Sequence, residues 1–291
     1  MPELPEVQTI VDDLNKKIVG HKIIDVWSDW PKTIKTPSFS QFKKLIKNQK
    51  ILKIKRRAKN LLFYFSDNYM MLLHLKMTGH LLLGKWKIED KKAIPISPKE
   101  IINDPYNKYI HIIFYLDKDK MIGFSDLRKF GKIIFGKKDK IENLPELLKL
   151  GPEPLEKRFK FNEFKEIISS EKRKIKQVLM DQEVIVGIGN IYADEVLWYS
   201  KINPLKPANK LSEKELKILF SAIFKILNKS LKLRGTSTSD YRDLSGKRGS
   251  YGDHLLAYKR ENQPCFRCKI KIKRIKIGGR STHFCPKCQK L

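Results

Sequence analysis

The sequence has 291 residues, which is enough for two domains that each bury a hydrophobic core. Apolar residues make up 41% of it, so a disordered chain is excluded, and its apolar runs fall far short of the ~20 residues that a membrane span needs. Lysine and arginine total 61 against 32 acidic residues, and the charge of +29 favours a polyanionic partner such as nucleic acid, although a lysine-rich proteome would produce part of the same excess.

A helix is predicted at the start of the chain, with Pro5 in its first turn, Gly20 after its end and apolar residues at helical spacing between them. From about residue 22 to residue 135 the pattern changes to short strands separated by turn residues, which predicts a β-sandwich. One helix, at residues 39–47, interrupts these strands. The predicted strands are residues 21–27, 51–56, 61–65, 70–75, 80–83, 109–116, 121–124 and 132–135.

The segment at residues 151–155 (GPEPL) predicts a linker, after which the pattern is helical. Ser212 and Glu215 form a capping-box signature ahead of the clearest amphipathic helix in the sequence. A loop rich in glycine and serine then covers residues 234–252, and the tail from Cys265 alternates apolar and basic residues like a hairpin. The other predicted helices are residues 161–169, 174–180 and 190–200.

The four cysteines of the chain form two CxxC pairs in its tail: Cys265 with Cys268, and Cys285 with Cys288. Four thiolates at this spacing predict a tetrahedral Zn²⁺ site, and two disulfides are the alternative. The zinc is expected to be structural, because four protein ligands leave no position for water. Basic residues between the pairs, including Arg280, can contact DNA phosphates, or the hairpin can serve only to fold the tail.

The first residues of the chain carry a candidate reactive group. If Met1 is removed, Pro2 exposes a secondary amine, which can attack an aldehyde or a sugar C1′ carbon to form a cationic Schiff base. Glu3 lies next to that amine and can transfer protons, and Glu6 lies in the first helical turn. Proline at position 2 and glutamate near a helix start are also common in proteins without such chemistry.

The N-terminus has two glutamates within six residues and no apolar segment, so no secretory signal is expected. Metal-binding cysteines favour a reducing compartment, and we expect a cytoplasmic protein.

Six ordered motifs resemble those of the bacterial formamidopyrimidine-DNA glycosylases (Fpg), which are also called 8-oxoguanine DNA glycosylases. The resemblance extends over nearly the whole chain. The motifs are residues 1–7 (MPELPEV), 56–59 (RRAK), 74–79 (HLKMTG), 126–131 (DLRKFG), 187–195 (GIGNIYADE) and 279–289 (GRSTHFCPKCQ).

The resemblance implies an α+β fold with two domains. Residues 1–136 would form an N-terminal catalytic β-sandwich with flanking helices, and residues 137–155 a linker. Residues 156–260 would form a helix–two-turn–helix DNA-binding domain that includes a lesion-recognition loop, and residues 261–291 a zinc finger with a β-hairpin.

The resemblance also implies a bifunctional glycosylase and AP lyase that acts on damaged double-stranded DNA as a monomer. It would excise oxidised purines and then cleave the strand by β,δ-elimination. Pro2 would be the nucleophile, Glu3 the acid that assists sugar-ring opening, and Glu6 a group that positions the nucleotide or water. The loop around residues 236–251 would cover the extruded base.

Further residues are implied to bind the DNA. Lys59, which belongs to the catalytic group as well, would grip the phosphates next to the lesion together with Asn190 and Arg280. Three side chains would fill the gap left by the extruded base, and His74 belongs to the same DNA-binding set. On pattern alone, an apolar residue in these strand-rich segments would be a core residue and Lys59 a solvated one. The gap-filling residues are Met77, Arg128 and Phe130.

Other functions remain open at this point. An endonuclease VIII-type glycosylase for oxidised pyrimidines, a non-catalytic zinc DNA-binding protein and a zinc-ribbon RNA or ribosome factor fit parts of the pattern. The chain also departs from the family at Gln8, Lys76 and Lys129, where Glu, Gly and a second Arg are frequent. Lys129 cannot reproduce a guanidinium fork. The order of lesion preference and the preferred opposite base do not follow from the sequence.

Overall fold

The computed structural model of the protein describes residues 1–291. Its contacts divide the chain into two compact units. The first comprises Met1–Leu148 and Leu233–Ser250, and the second comprises Lys149–Lys232 and Tyr251–Leu291. No helix combines the length and the apolar composition that crossing a bilayer requires.

The first unit contains two five-stranded sheets and the N-terminal helix. One sheet has the strand order β1-β8-β9-β6-β7, and the other has the order β2-β10-β5-β4-β3. Neighbouring strands are antiparallel except for β2 and β10, which are parallel. The elements are α1 (Leu4–Ile18), β1 (Ile23–Ser28), β2 (Ile34–Thr36), α2 (Phe39–Ile46), β3 (Ile51–Arg57), β4 (Asn60–Phe65), β5 (Tyr69–His74), β6 (His80–Glu89), β7 (Lys92–Ser97), α3 (Lys99–Asn103), β8 (Ile110–Leu116), β9 (Met121–Ser125), β10 (Lys132–Lys137), α4 (Lys138–Glu142) and α5 (Pro145–Leu148).

The core of this unit forms between the inner faces of the two sheets and the apolar face of α1. Val7, Ile10 and Leu14 of α1 are fully buried in it because they recur at helical spacing on one face. Asn15 ties the same helix to β3: its Nδ2 donates to the Ile54 carbonyl at 2.7 Å, and its Oδ1 accepts from the Ile54 N–H at 3.0 Å. The start of α1 is therefore fixed against the sheet by both packing and hydrogen bonds.

The second unit is helical and ends in a two-stranded hairpin. The Ser212 signature forms as predicted: the Ser212 N–H donates to Glu215 Oε2 at 2.8 Å, and the Glu215 N–H donates to Ser212 Oγ at 3.3 Å. The elements are α6 (Phe161–Ser169), α7 (Ile175–Met180), α8 (Asn190–Ser200), α9 (Glu213–Lys232), β11 (Lys273–Ile277) and β12 (Arg280–Phe284).

Some elements differ from the sequence prediction. Strand β7 was not predicted, and it contains Pro95, which lacks an N–H and is tolerated because β7 is an edge strand. Helices α4 and α5 lie within the stretch predicted as a linker. The contacts also group Leu233–Ser250 with residues 1–148, whereas the predicted limits placed it with residues 156–260. Long-range hydrogen bonds, described below, explain this grouping.

Candidate active site and metal centre

The N-terminal residues of the first unit are held at the start of α1. Pro2, Glu3 and Glu6 are all buried, and the Glu3 N–H donates to Glu6 Oε2 at 2.8 Å. Burial lowers the pKa of the terminal amino group on Met1 below its ordinary value, while Glu3, Glu6 and Asp240 act in the opposite direction. A lowered pKa leaves more of that amine unprotonated at neutral pH, and the unprotonated form of an amine is the nucleophilic one.

Glu6 connects the start of α1 to a distant part of the sequence. Its Oε1 accepts from the Thr236 N–H at 2.7 Å, so both carboxylate oxygens hold backbone groups. Gly235, which precedes Thr236, has φ +84°, and a Cβ there would lie 2.8 Å from Glu6 Oε1. Only glycine meets both demands, so this close approach depends on Gly235.

Two arginines hold the 233–250 segment on the first unit. Arg234 Nη2 lies 2.8 Å from Asp243 Oδ2 and also pairs with Asp13 of α1. Arg242 is almost fully buried, and its Nε donates to Asp104 Oδ2 at 2.7 Å. These contacts explain why a loop far along the chain packs with residues 1–148.

Lys59 lies in the two-residue turn that joins β3 to β4, where Ala58 has φ +53°. The Lys59 side chain is 5% exposed, so it is not the solvated lysine that the sequence pattern alone favours. Asn60 follows it in the chain and pairs with His74 of β5, which brings the turn close to the end of that strand. Lys59 and His74 therefore lie close together where β4 begins and β5 ends.

His74 is neutral in this environment. Burial, with the charges of Lys76, Lys59 and Lys132, lowers the pKa of His74 to about 3. Its Nδ1 lies 2.9 Å from the Lys76 N–H, and this bond assigns Nδ1 as the acceptor. The other ring nitrogen then carries the proton and can donate to an oxygen ligand without adding charge.

A buried carboxylate organises the loop that follows β9. Asp126 accepts a hydrogen bond from the Thr78 hydroxyl, and its Oδ2 accepts from the Gly131 N–H at 2.7 Å. The Thr78 oxygen in turn accepts from the Arg128 N–H at 3.0 Å. These contacts join the two sequence motifs that contain Met77, Arg128 and Phe130, which are three of the predicted DNA-binding residues.

The side chains on this loop face outward. Phe130 is 52% exposed, and its ring lies 4.6 Å from the Arg128 guanidinium carbon. Met77 is half-buried. An exposed phenylalanine stacked with arginine is not a core residue, so the alternative that the strand pattern favoured is excluded for Phe130.

In the second unit, Asn190 is the first residue of α8, directly after the Gly187–Gly189 turn. The Gln182 side chain closes that turn: its Oε1 accepts from the Gly187 N–H, and its Nε2 donates to the Ile188 carbonyl, both at 2.8 Å. The helix dipole places partial positive charge at the start of a helix, which is an environment that suits an anion.

The zinc hairpin is joined to α8 by a hydrogen bond to Asp194, a residue that also forms a buried ion pair with Lys176 of α7. Lys176 and Asp194 are fully buried, with Nζ and Oδ1 2.7 Å apart, and Lys176 also donates to the Asn190 carbonyl at 2.9 Å. The other Asp194 oxygen accepts from the His283 N–H in β12 at 2.9 Å. Arg280 is exposed at the start of β12, after the left-handed turn at Gly278 and Gly279.

The four cysteines fit one zinc ion. Their sulfur atoms all lie within 4.8 Å of one another, and none forms a disulfide. Four thiolates at about 2.3 Å from a tetrahedral zinc ion lie about 3.8 Å apart, so small shifts would close the site. The donor set supplies four sulfur ligands, as in structural zinc sites, and the disulfide alternative is not observed.

Sequence reasoning missed the residues that hold these side chains in place. Thr78, Asp126 and Asp194 lie inside the six motifs. Their signal was that each is a polar residue of a motif to which no role in chemistry or DNA binding had been assigned. Gly235 and Thr236 gave no such signal, because their partner Glu6 is 230 positions away in sequence.

Three family models match the chain. The formamidopyrimidine-DNA glycosylase N-terminal domain matches residues 1–133, and the formamidopyrimidine-DNA glycosylase H2TH domain matches residues 150–242. The zinc finger found in FPG and IleRS matches residues 262–291.

Individual proteins resemble the chain over its full length. A formamidopyrimidine-DNA glycosylase of Pelotomaculum thermopropionicum is 39% identical over 291 residues, covering 100% of both chains. The Lactococcus lactis Fpg in complex with DNA containing an abasic site has a TM-score of 0.86 at 36% identity, covering 99% of this chain and 100% of that one. A MutM structure with DNA containing carbocyclic 8-oxo-G has a TM-score of 0.85 at 36% identity and covers both chains fully.

Proposed function

The chain belongs to the formamidopyrimidine-DNA glycosylase family, and we propose that its substrate is duplex DNA that carries 8-oxoguanine or a formamidopyrimidine. It is a DNA glycosylase of base-excision repair, and after excising the base it cleaves the strand as an AP lyase. The solved relatives hold DNA with an abasic site or with carbocyclic 8-oxo-G, which supports this substrate class. The four-thiolate site holds one structural zinc ion.

The nucleophile is the amine of Pro2, exposed once Met1 has been removed. Its nitrogen attacks C1′ of the extruded nucleotide as the bond from C1′ to the base breaks, and the base leaves with that electron pair. The nitrogen loses its proton, which neutralises the departing base, and Glu3 donates a proton to the ring oxygen O4′, so the sugar opens and the adduct becomes an iminium ion. Loss of a C2′ proton then expels the 3′ phosphate, and loss of a C4′ proton expels the 5′ phosphate, with the iminium cation accepting the electron pair in each elimination.

Glu6 positions the reacting nucleotide or a water molecule beside this nitrogen. Its carboxylate already holds the Glu3 and Thr236 N–H groups, so it is fixed before DNA binds. Residues 236–251 cover the extruded base. The bond from Thr236 to Glu6 supports this role, because it places the beginning of that loop against the start of α1.

Phosphates next to the lesion are bound by positive charges and uncharged donors. In the first unit, Lys59 supplies charge and His74 a donor; in the second unit, Arg280 supplies charge and Asn190 a donor. In the first unit, Met77, Arg128 and Phe130 fill the gap left by the extruded base. Arg128 can donate to the orphaned partner base, and the exposed Phe130 ring can stack in the gap, which offsets part of the few kcal/mol that unstacking costs.

One observation carries the proposal: Pro2 and Glu3 are buried at the start of α1, where the Glu3 N–H donates to Glu6 Oε2 at 2.8 Å. We expect borohydride to trap the protein covalently on a duplex with 8-oxoguanine opposite cytosine. Peptide mass analysis of the adduct should find the DNA on Pro2. An active enzyme that retains Met1, or an adduct on another residue, would exclude the mechanism.

A duplex carrying an oxidised pyrimidine tests the endonuclease VIII alternative. Faster trapping on that duplex than on the 8-oxoguanine duplex would favour the endonuclease VIII alternative. An enzyme specific for oxidised purines should be trapped more slowly on the oxidised-pyrimidine duplex. Absence of trapping on both duplexes, with tight binding retained, would leave a zinc DNA-binding protein.

We also propose that the protein is a cytoplasmic monomer. Free thiols that ligate zinc persist in a reducing compartment, and the relatives are bacterial. The family resemblance supports the monomer. Sedimentation of the zinc-loaded protein, alone and with one equivalent of duplex, should show one chain in each case.

A further inference from the structure

A cluster of one indole and two ammonium groups lies beside the loop that carries Phe130. Lys129 Nζ lies 4.4 Å from the centre of the Trp30 ring, and Lys32 Nζ lies 5.2 Å from the centre of the same ring. Both distances are within the range of cation–π attraction. We call Trp30, Lys32 and Lys129 the Trp30 patch.

The backbone on both sides of the patch is fixed. The Trp30 N–H donates to Ser28 Oγ at 3.0 Å, and that hydroxyl donates to the His111 carbonyl at 2.7 Å. Asp29 bonds to the His111 ring at 2.9 Å. On the other side, Lys129 has φ +57°, and its N–H donates to the Asp126 carbonyl at 3.1 Å. The indole thus meets Lys129 on a loop already organised by Asp126.

The patch keeps its charge available for a ligand. Elsewhere in this unit carboxylates neutralise lysines, as Asp119 does for Lys85 and Glu146 for Lys132. An aromatic ring attracts an ammonium group without neutralising it and leaves other N–H bonds free to donate. Two oriented positive charges beside an exposed aromatic loop form a site for an anion.

We propose that the Trp30 patch binds backbone phosphates of the DNA strand opposite the lesion. This inference rests on the proposed function, in which Arg128 and Phe130 enter the gap and Arg128 meets the orphaned base. Lys129 lies between those two residues in the chain. Its ammonium group is therefore carried to the strand that holds the orphaned base, and Trp30 and Lys32 extend the contact along that strand.

The test combines charge removal in the protein with charge removal in the DNA. Lys129→Gln and Lys32→Gln each delete one charge and keep a polar side chain that is one atom shorter. Duplexes carry one neutral methylphosphonate at successive positions of either strand. At a contacted phosphate, the variant and the methylphosphonate should each weaken binding about threefold to fivefold, and the two together no more than one alone. Each variant should also lower the slope of log K against log salt by about one.

Lys137→Gln is the matched control, because Lys137 lies 4.0 Å above the Tyr69 ring at the other end of the β5–β10 pair from His74. The effect of Lys137→Gln on DNA binding should add to that of a methylphosphonate at every position. Trp30→Phe should keep the coupling between Lys129 and the phosphate, whereas Trp30→Ala should lose it although both lysines remain. Thermal melts of all variants monitor folding.

Three outcomes would each overturn the proposal. The effect of Lys129→Gln could add to that of the methylphosphonate at every position of both strands, or the two could be coupled only on the damaged strand. Lys129→Gln could also behave like Lys137→Gln. Borohydride trapping of the wild-type protein on the same duplex separates the two hypotheses. Failure to trap counts against the proposed function, whereas normal trapping with additive effects excludes only the role of the Trp30 patch.

Discussion

The ionisation of His74 shows how one residue is tuned by its surroundings. A pKa near 3 in the folded protein, against an ordinary 6.5, means that the unfolded chain binds a proton which the folded chain excludes. The stability that neutral His74 contributes is therefore complete above pH 6.5 and is lost as the pH falls towards 3.

We expect the free energy of unfolding to fall more steeply between pH 6.5 and pH 4 in the wild-type protein than in His74→Asn. The asparagine oxygen can still accept from the Lys76 N–H, but it does not titrate. Urea unfolding at a series of pH values measures the difference. Parallel pH profiles for the two proteins would show that His74 titrates normally.

Gly235 is a residue whose importance comes from geometry alone. Gly235→Ala combines a left-handed φ of +84° with a Cβ 2.8 Å from Glu6 Oε1. Gly20 is the matched control, because it has φ +92° and no atom within 4 Å of an added Cβ. Gly20→Ala should cost only the backbone strain of about 1–2 kcal/mol.

Gly235→Ala should cost more than Gly20→Ala, because Glu6 must move, and it should also slow borohydride trapping at saturating enzyme. Chemical denaturation and single-turnover trapping measure the two effects. Equal stability losses and unchanged trapping would show that the approach of Gly235 to Glu6 has no catalytic consequence.

At the scale of elements, the Asp126 loop should respond as a unit. In Asp126→Asn the amide nitrogen replaces one accepting oxygen, so either the Thr78 hydroxyl or the Gly131 N–H loses its partner. An unsatisfied buried group costs about 1–3 kcal/mol. Because the loop carries Arg128 and Phe130, we also expect a higher KM for lesion-containing duplex.

Asp90→Asn provides the control, since it removes the same charge from an exposed turn position with φ +46°, which asparagine tolerates. Steady-state kinetics and urea denaturation of both variants measure the effect. If Asp126→Asn matches Asp90→Asn in KM, the loop does not depend on Asp126.

The elements that the sequence predicted well are those with a strong local signal. Helices Phe161–Ser169 and Asn190–Ser200 begin and end where their patterns predict, because apolar spacing and turn residues mark both ends. Strands Ile34–Thr36 and Lys92–Ser97 were not predicted: the first has three residues, and the second contains Pro95. Their pairing depends on neighbouring strands, which local sequence does not specify.

Prediction of the site followed the same division. The CxxC spacing predicted the zinc ligands, and the resemblance supplied roles for Pro2 and Glu3, but neither supplied the contacts that position these residues. The bond between Glu6 and Thr236 joins two parts of the chain that no local pattern relates. The burial of Lys59 likewise depends on tertiary packing, since a lysine that follows Arg56 and Arg57 so closely is expected to be solvated.

At the scale of the whole molecule, zinc should stabilise only part of the chain. Chelation removes the zinc ion that holds Cys265, Cys268, Cys285 and Cys288 together. The hairpin with Arg280 should then unfold. We expect DNA binding to be lost, while the core between the two sheets of the first unit still unfolds cooperatively on heating.

Metal analysis should find one zinc per chain, and returning zinc should restore binding. Calorimetry with and without a chelator, together with binding to a lesion-containing duplex, measures both effects. Tight binding by the metal-free protein would exclude a role for the hairpin in DNA contact, and loss of all cooperative unfolding would show that zinc supports the entire chain.

The discontinuity of the first unit has a consequence for biosynthesis. The ribosome translates Pro2, the proposed nucleophile, before Glu6, but Thr236, the partner of Glu6, follows 230 codons later. An incomplete nascent chain therefore carries Pro2 and Glu6 without the segment that completes their surroundings. Premature termination anywhere before Gly235 yields a product that lacks this contact, so the surroundings of Glu6 are completed only after Thr236 has been translated.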